Sequence, residues 1–86
     1  MRRSNSLRTQ FSLALAYKDA GRMPEAIRLS EQVCDVHEKK FGPEHPETLI
    51  MLGNLAGTYR VAGRLPEAIT LFEKIKPAIE KKLGPD

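Results

Sequence analysis

Tyr17-Lys18-Asp19-Ala20-Gly21-Arg22-Met23-Pro24-Glu25-Ala26-Ile27 returns, 42 residues further on, as Tyr59-Arg60-Val61-Ala62-Gly63-Arg64-Leu65-Pro66-Glu67-Ala68-Ile69. Each copy sets a glycine three residues ahead of a proline, with glutamate and alanine directly after it. Glycine can end a helix in the left-handed conformation without steric cost, and proline is tolerated in the first turn of the next helix. The glutamate then sits near the positive end of the new helix dipole. The stretch encodes a turn between two helices, and the chain carries that turn twice.

Outward from the turn the echo continues. Laying residues 4–44 on 46–86 gives 18 identities in 41 positions, from Leu7/Leu49 and Leu13/Leu55 to Gly42/Gly84 and Pro43/Pro85. A fixed period of this length marks a stacked repeat, which moves the search for function from catalytic clefts to surfaces.

Before the turn, Leu7, Leu13, Ala14, Ala16, Tyr17 and Ala20 recur at the three- and four-residue spacings of an amphipathic helix. After it, Ala26, Ile27, Leu29, Val33, Cys34, Val36 and Phe41 trace a second helix that Gly42-Pro43 ends. Pro46 and Glu47 open a third, and the pattern runs on through Gly63 and Pro66 to Gly84-Pro85. The expected fold is all-α: two tandem helix-turn-helix hairpins with four antiparallel helices over residues 5–20, 24–41, 46–62 and 66–83. The chain divides into an N-terminal extension (1–3), a first repeat (4–44) and a second (46–86). Pro77 stands where the first copy has Asp35, deep in the fourth helix. Its ring should clash with the Glu73 carbonyl and remove a backbone bond, a loss of about 3 kcal/mol in an ideal helix. A kink near Pro77, or two shorter helices, is expected.

The residues between and inside these helices resemble the tetratricopeptide repeat. The second copy supplies its Leu55, Ala56, Tyr59, Ala68 and Phe72, and the first its Leu13, Ala14, Tyr17 and Ala26, with Ser30 in place of the aromatic. The 42-residue period is longer than the common form. Together with Phe41-Gly42-Pro43-Glu44-His45-Pro46-Glu47-Thr48-Leu49, Asn54-Leu55-Ala56 and Tyr59, it is similar to the long repeats of kinesin light chains and of some bacterial arrays. The resemblance implies a right-handed α-solenoid whose concave face, lined by the first helix of each repeat, binds a peptide or partner protein.

On that implied wall, the positions left free by the packing stripe are Phe11, Leu15 and Lys18, then Gly53, Gly57 and Arg60, with Asn54 alongside. In similar light-chain repeats an asparagine at the Asn54 position bonds the backbone of an extended peptide; the first copy has Ser12 there. Two glycines one turn apart destabilise a helix interior by about 0.5–1 kcal/mol each relative to alanine. One reading is an apolar notch floored by Gly53 and Gly57 and walled by Phe11 and Leu15; the other is close helix packing. Phe11, Leu15, Gly53 and Gly57 do not supply the lysine and asparagine set with which other members of the family grip chaperone C-termini at these positions.

Other function classes find less support. The chain has 86 residues, 41% hydrophobic and 29% charged, as in an ordinary folded unit near the lower size limit for a single core. No apolar run reaches membrane-spanning length and no signal-peptide pattern is present, so no membrane role is expected. The net charge of +3 comes from 14 basic and 11 acidic residues set side by side, as in Glu38-Lys39-Lys40 and Glu80-Lys81-Lys82, which reads as solvated helix surface. Single-stranded nucleic acid would need basic residues interleaved with exposed aromatics, and the wall offers Arg8, Lys18 and Arg60 with only Phe11. A single cysteine admits no internal disulfide and fits a reducing, cytoplasmic setting. Cys34 and His37 lie one turn apart beside Glu38, but Cys34 falls in the packing stripe and two donors do not make a metal site. His45 is expected to support the turn into the third helix. No catalytic residue, metal or cofactor is expected, and the protein is read as a non-enzyme.

Two repeats fall short of the three or so usually needed for a stable stack. The outer side of the last helix, with Ile69, Phe72, Ile75 and Ile79, lacks a covering hairpin. Self-association by end-to-end stacking or hairpin exchange is expected there, with a self-assembling repeat lacking its own peptide ligand as the alternative function.

Overall fold

The computed structural model describes residues 7–83, and these form helices only: α1 (Leu7–Asp19), α2 (Met23–Phe41), α3 (Pro46–Val61) and α4 (Leu65–Leu83). The boundaries lie within a residue of the sequence reading except at the start of α1. That start, the extension 1–3 and the Gly84-Pro85 stop fall outside the described residues. Packing is sequential, α1 on α2, α2 on α3 and α3 on α4.

The repeated turn closes in the same way in both copies. Gly21 (φ 81°) and Gly63 (φ 83°) take the left-handed conformation. The Gly21 N–H donates to the Lys18 carbonyl at 3.0 Å and the Arg22 N–H to the Tyr17 carbonyl at 2.8 Å; Gly63 to Arg60 and Arg64 to Tyr59 repeat the pair at 3.1 and 2.8 Å. This double bond satisfies the last carbonyls of the first helix in each hairpin. The Arg22 carbonyl then accepts from Ala26 and the Arg64 carbonyl from Ala68, so the second helix starts on the residue that ends the first. Side chains lock the same corner. The Arg22 guanidinium lies 4.9 Å from the centre of the Tyr17 ring and 2.9 Å from Glu25; Arg64 lies 4.8 Å from that of Tyr59 and 3.0 Å from Glu67. The hydrogen bond from Arg22 holds the Glu25 carboxyl below the usual carboxylate range.

The core cluster, Val33, Cys34, Leu49, Met51, Leu52, Leu55 and Ile75, straddles α2, α3 and α4. Ile75 therefore does not belong to an outer edge. It falls on the stripe of Ala68, Leu71 and Ala78, at helical spacings of seven, four and three, and that stripe turns toward α3. Ile79 likewise packs half-buried against the cluster, leaving Ile69 and Phe72 as the exposed pair. Pro77 does not divide the fourth helix: α4 runs unbroken through it. Pro77 itself is exposed while Ile75, Ala78 and Ile79 on either side are held against the core, so tertiary packing carries the helix across the missing bond.

Where the repeats meet, polar groups are paired as carefully as apolar ones. His37 is buried, its Nδ1 2.8 Å from Thr48 Oγ1 and its Nε2 3.4 Å from Glu47 Oε1. Its ring lies 4.5 Å from Phe41, which in turn lies 5.2 Å from His45. His45 caps α3, as expected, its Nδ1 accepting from the Glu47 N–H at 3.2 Å. The Tyr59 hydroxyl donates to the Glu31 carboxylate across the same seam, and Lys74 reaches Glu38 at 3.2 Å.

Two outcomes follow from these contacts. A Cβ at position 63 would touch nothing within 4 Å, so Gly63→Ala isolates backbone strain and should lower unfolding free energy in urea by about 1–2 kcal/mol. Burial, then the Glu31 bond, pushes the Tyr59 phenol up to about 12. The unfolded phenol ionises near ~10, so this contribution is intact below that pH and is lost as pH rises toward 12. Tyr59→Phe should therefore flatten the alkaline loss of thermal stability between those values.

Candidate binding surface

α3 is the helix on which a site can be built, because it lies between α2 and α4 and still keeps one side open. That side carries a cavity of about 410 Å³. Leu49, Ile50, Gly53 and Gly57 of α3 line it, with Ile79 and Lys82 of α4 and Lys18 of α1. Ile50 is the most exposed apolar residue of α3, at 59%.

The glycines are not there for close packing. A Cβ at Gly57 would meet nothing within 4 Å, and one at Gly53 would meet only Ile75 Cδ1 at an ordinary 3.9 Å. What their missing side chains leave is room in the cavity. Asn54 lines it too, but its Nδ2 donates to the Ile50 carbonyl one turn back at 3.2 Å, so the amide is already engaged with its own helix.

Of the seven wall positions named from sequence, Lys18, Gly53, Asn54 and Gly57 meet at this cavity. Phe11 and Leu15 do not wall it. Phe11 occupies the position of Gly53, which points at its own hairpin's second helix, and its ring accordingly packs against the core cluster that includes Val33. It lines a separate cavity of about 470 Å³ with His37, Phe41 and Ile50. Leu15 is half-buried and Arg60 exposed, and neither lines a cavity described here.

Sequence reasoning missed Leu49, Ile50, Ile79 and Lys82. The signal was available in the hairpin. Residues equidistant from the Gly63-Arg64 turn pair across antiparallel helices: Gly53 with Ile75, Leu49 with Ile79, Pro46 with Lys82. Ile79 and Lys82 enter from α4, across the hairpin, where Phe11 and Leu15 of the neighbouring repeat were expected.

Cys34 is no candidate nucleophile. Burial, chiefly, pushes its thiol up to about 12, so the thiolate that attack requires is scarce at neutral pH. His37, its neighbour one turn on, faces Thr48 and Glu47 across the seam. Among the described residues no three of His, Cys, Asp and Glu gather as metal ligands, and no described helix is long and apolar enough to cross a membrane.

Two antiparallel hairpins, each closed by the same glycine turn, carry the repeat signature, and a sequence profile of the tetratricopeptide repeat matches residues 5–85. The chain belongs to the tetratricopeptide repeat family. Among solved structures it is similar to the nearly identical TPR-like repeats of a proposed kinesin light chain from Podosopora anserina, at 34% identity and a TM-score of 0.80 over 95% of this chain. A second crystal structure of those repeats matches at the same identity and TM-score over 94%. The chain spans 40% of the length of either. No curated protein matches it. Tetratricopeptide repeats are in general protein-interaction modules without catalytic activity.

The cavity glycines give a stability test that separates them from the turn glycines. Gly57→Ala and Gly53→Ala have space for the methyl and no positive φ to lose, so each should raise unfolding free energy by about 0.5–1 kcal/mol in chemical denaturation.

Proposed function

We propose that this repeat unit docks an extended peptide of a partner protein along the α1–α3 face, seating one large apolar side chain over Gly53 and Gly57. The observation that carries the reading is the pair of glycines. They weaken a helix, touch almost nothing, and open a cavity of about 410 Å³ whose walls are Leu49, Ile50 and Ile79. Such a space fits a side chain of the size of Leu, Phe or Trp, with a few polar groups to orient it.

The charged groups of the lining are Lys18 and Lys82, with no acid among them. A peptide carrying Asp or Glu next to its apolar residue is therefore favoured over one carrying Lys. Asn54 contributes to such a complex by exchanging its bond to the Ile50 carbonyl for one to the peptide backbone. The module acts by holding its partner, with no chemistry of its own, and the buried, unpaired thiol of Cys34 suits a reducing compartment such as the cytoplasm.

Fluorescence titration of peptides that differ at one position (Ala, Leu, Phe or Trp) and in the flanking charge (Asp or Lys) tests this. Large apolar residues flanked by Asp should bind best, with the Asp preference shrinking as salt is raised. Gly57→Leu fills the cavity and should weaken the best peptide at least tenfold while keeping the helical circular dichroism spectrum. Unchanged affinity in that variant, or a preference for Lys flanks, would overturn the reading.

A further inference from the structure

The outer face of α4 is exposed where the same face of α2 is covered by α3. On α2, Ile27 is 6% exposed and Ser30 5%; their counterparts on α4, Ile69 and Phe72, are 55% and 42% exposed. The buried stripe Ile27, Ser30, Cys34 and His37 is the one that α3 covers on α2. On α4 that stripe is Ile69, Phe72, Lys76 and Ile79, and among the described residues no helix follows to cover it.

The complementary half stands at the other end. On α3, Met51, Leu52, Leu55 and Thr58 are buried, and Leu52 and Leu55 share a groove with Cys34 of α2. The counterparts on α1 are Thr9, Gln10, Leu13 and Ala16, of which Leu13 is 46% exposed where Leu55 is 5%.

The surface grooves say the same thing. A groove between α1 and α2 has seven lining residues, among them Leu13, Tyr17 and Arg28. Shifted by 42, every one of the seven lines the corresponding groove of the second repeat. What the second groove has in addition, apart from Leu52, is Glu31, Cys34, Asp35 and Glu38, all from the preceding second helix. The groove beside α1 is the same groove without that helix.

We infer that α4 of one copy supplies it: the chain associates head to tail with itself, α1 of each copy seating on α4 of the next in the register that α3 takes on α2. The occupant is argued from chemistry already present. At the internal seam the Tyr59 hydroxyl donates to Glu31. The counterparts are Tyr17 on α1 and Glu73 on α4, the same two residue types. Arg28 stands in the α1 groove where Thr70 stands in that of the second repeat. In the shared register it faces the positions of Glu73 and Glu80, a charge pair the internal seam does not have. Phe72, in the place of Ser30, adds the largest apolar group of the exposed stripe.

The contact is heterologous, using different surfaces on the two copies, so it propagates rather than stopping at a pair. It involves neither Gly53 nor Gly57, and of the cavity walls it shares only the half-buried Ile79.

Sedimentation velocity across a concentration series tests it. The wild-type chain should show a mass that rises with concentration beyond that of a dimer. Leu13→Glu spoils only the α1 end and Phe72→Glu only the α4 end, and both sites are exposed, so each variant should stay folded and monomeric. Mixed, the two should form a one-to-one dimer that does not grow. Glu73→Lys should weaken assembly several-fold, and adding Arg28→Glu to it should restore most of the loss. A monomeric wild-type mass at every concentration overturns the inference and leaves the α4 face to another protein. Self-association of Leu13→Glu alone would show an α4-to-α4 pairing and overturn it equally, as would a mixture that stays monomeric.

Discussion

A helical hairpin can cover only one side of its second helix, and the rest of this molecule answers that constraint. In α2 the uncovered side receives α3, and the seam so formed holds much of the core, the buried His37–Thr48 pair and the Tyr59–Glu31 bond. Burial of apolar groups there would leave polar atoms stranded without partners, and the His37–Thr48 and Tyr59–Glu31 pairs supply them. α3 is thereby fixed from one side by α2 and from the other by α4, and its remaining side carries the cavity over Gly53 and Gly57.

The two copies of the sequence divide cleanly by role. Where they agree, at Tyr17/Tyr59, Gly21/Gly63, Arg22/Arg64 and Glu25/Glu67, the residues build one corner: a left-handed glycine, a cation over an aromatic ring and an ion pair three residues apart. Where they differ, the difference is spent at surfaces. Phe11 fills space that Gly53 leaves open, Ser30 lies under α3 where Phe72 faces outward, and His37 makes a polar contact where Ile79 helps wall a cavity.

The fold was legible because glycine, proline and apolar spacing act locally, within a turn or two of the residue concerned. The helix ends at Phe41 and Pro46 and the continuous apolar stripe of α2 needed nothing else. The site was only half legible. Gly53, Asn54, Gly57 and Lys18 announce an open wall, but Ile79 and Lys82 enter it through the antiparallel return of α4. Phe11 misled because a large residue at a wall position can as well turn into its own hairpin as out of it. At Pro77 the two shorter helices that the local penalty would give are not found, because the packing of Ile75 and Ile79 on either side keeps α4 continuous.

α3 has a further consequence, for how the molecule comes apart. It is the helix that both α2 and α4 lean on, yet its two interior glycines make it a poor helix by itself. Repeat arrays lose cooperativity when each unit is stable alone and the seams are weak. Here the balance is reversed, with an intrinsically soft central helix held by a well-paired seam. Melting of the second hairpin should therefore drag the first with it, so that two repeats behave as a single cooperative unit.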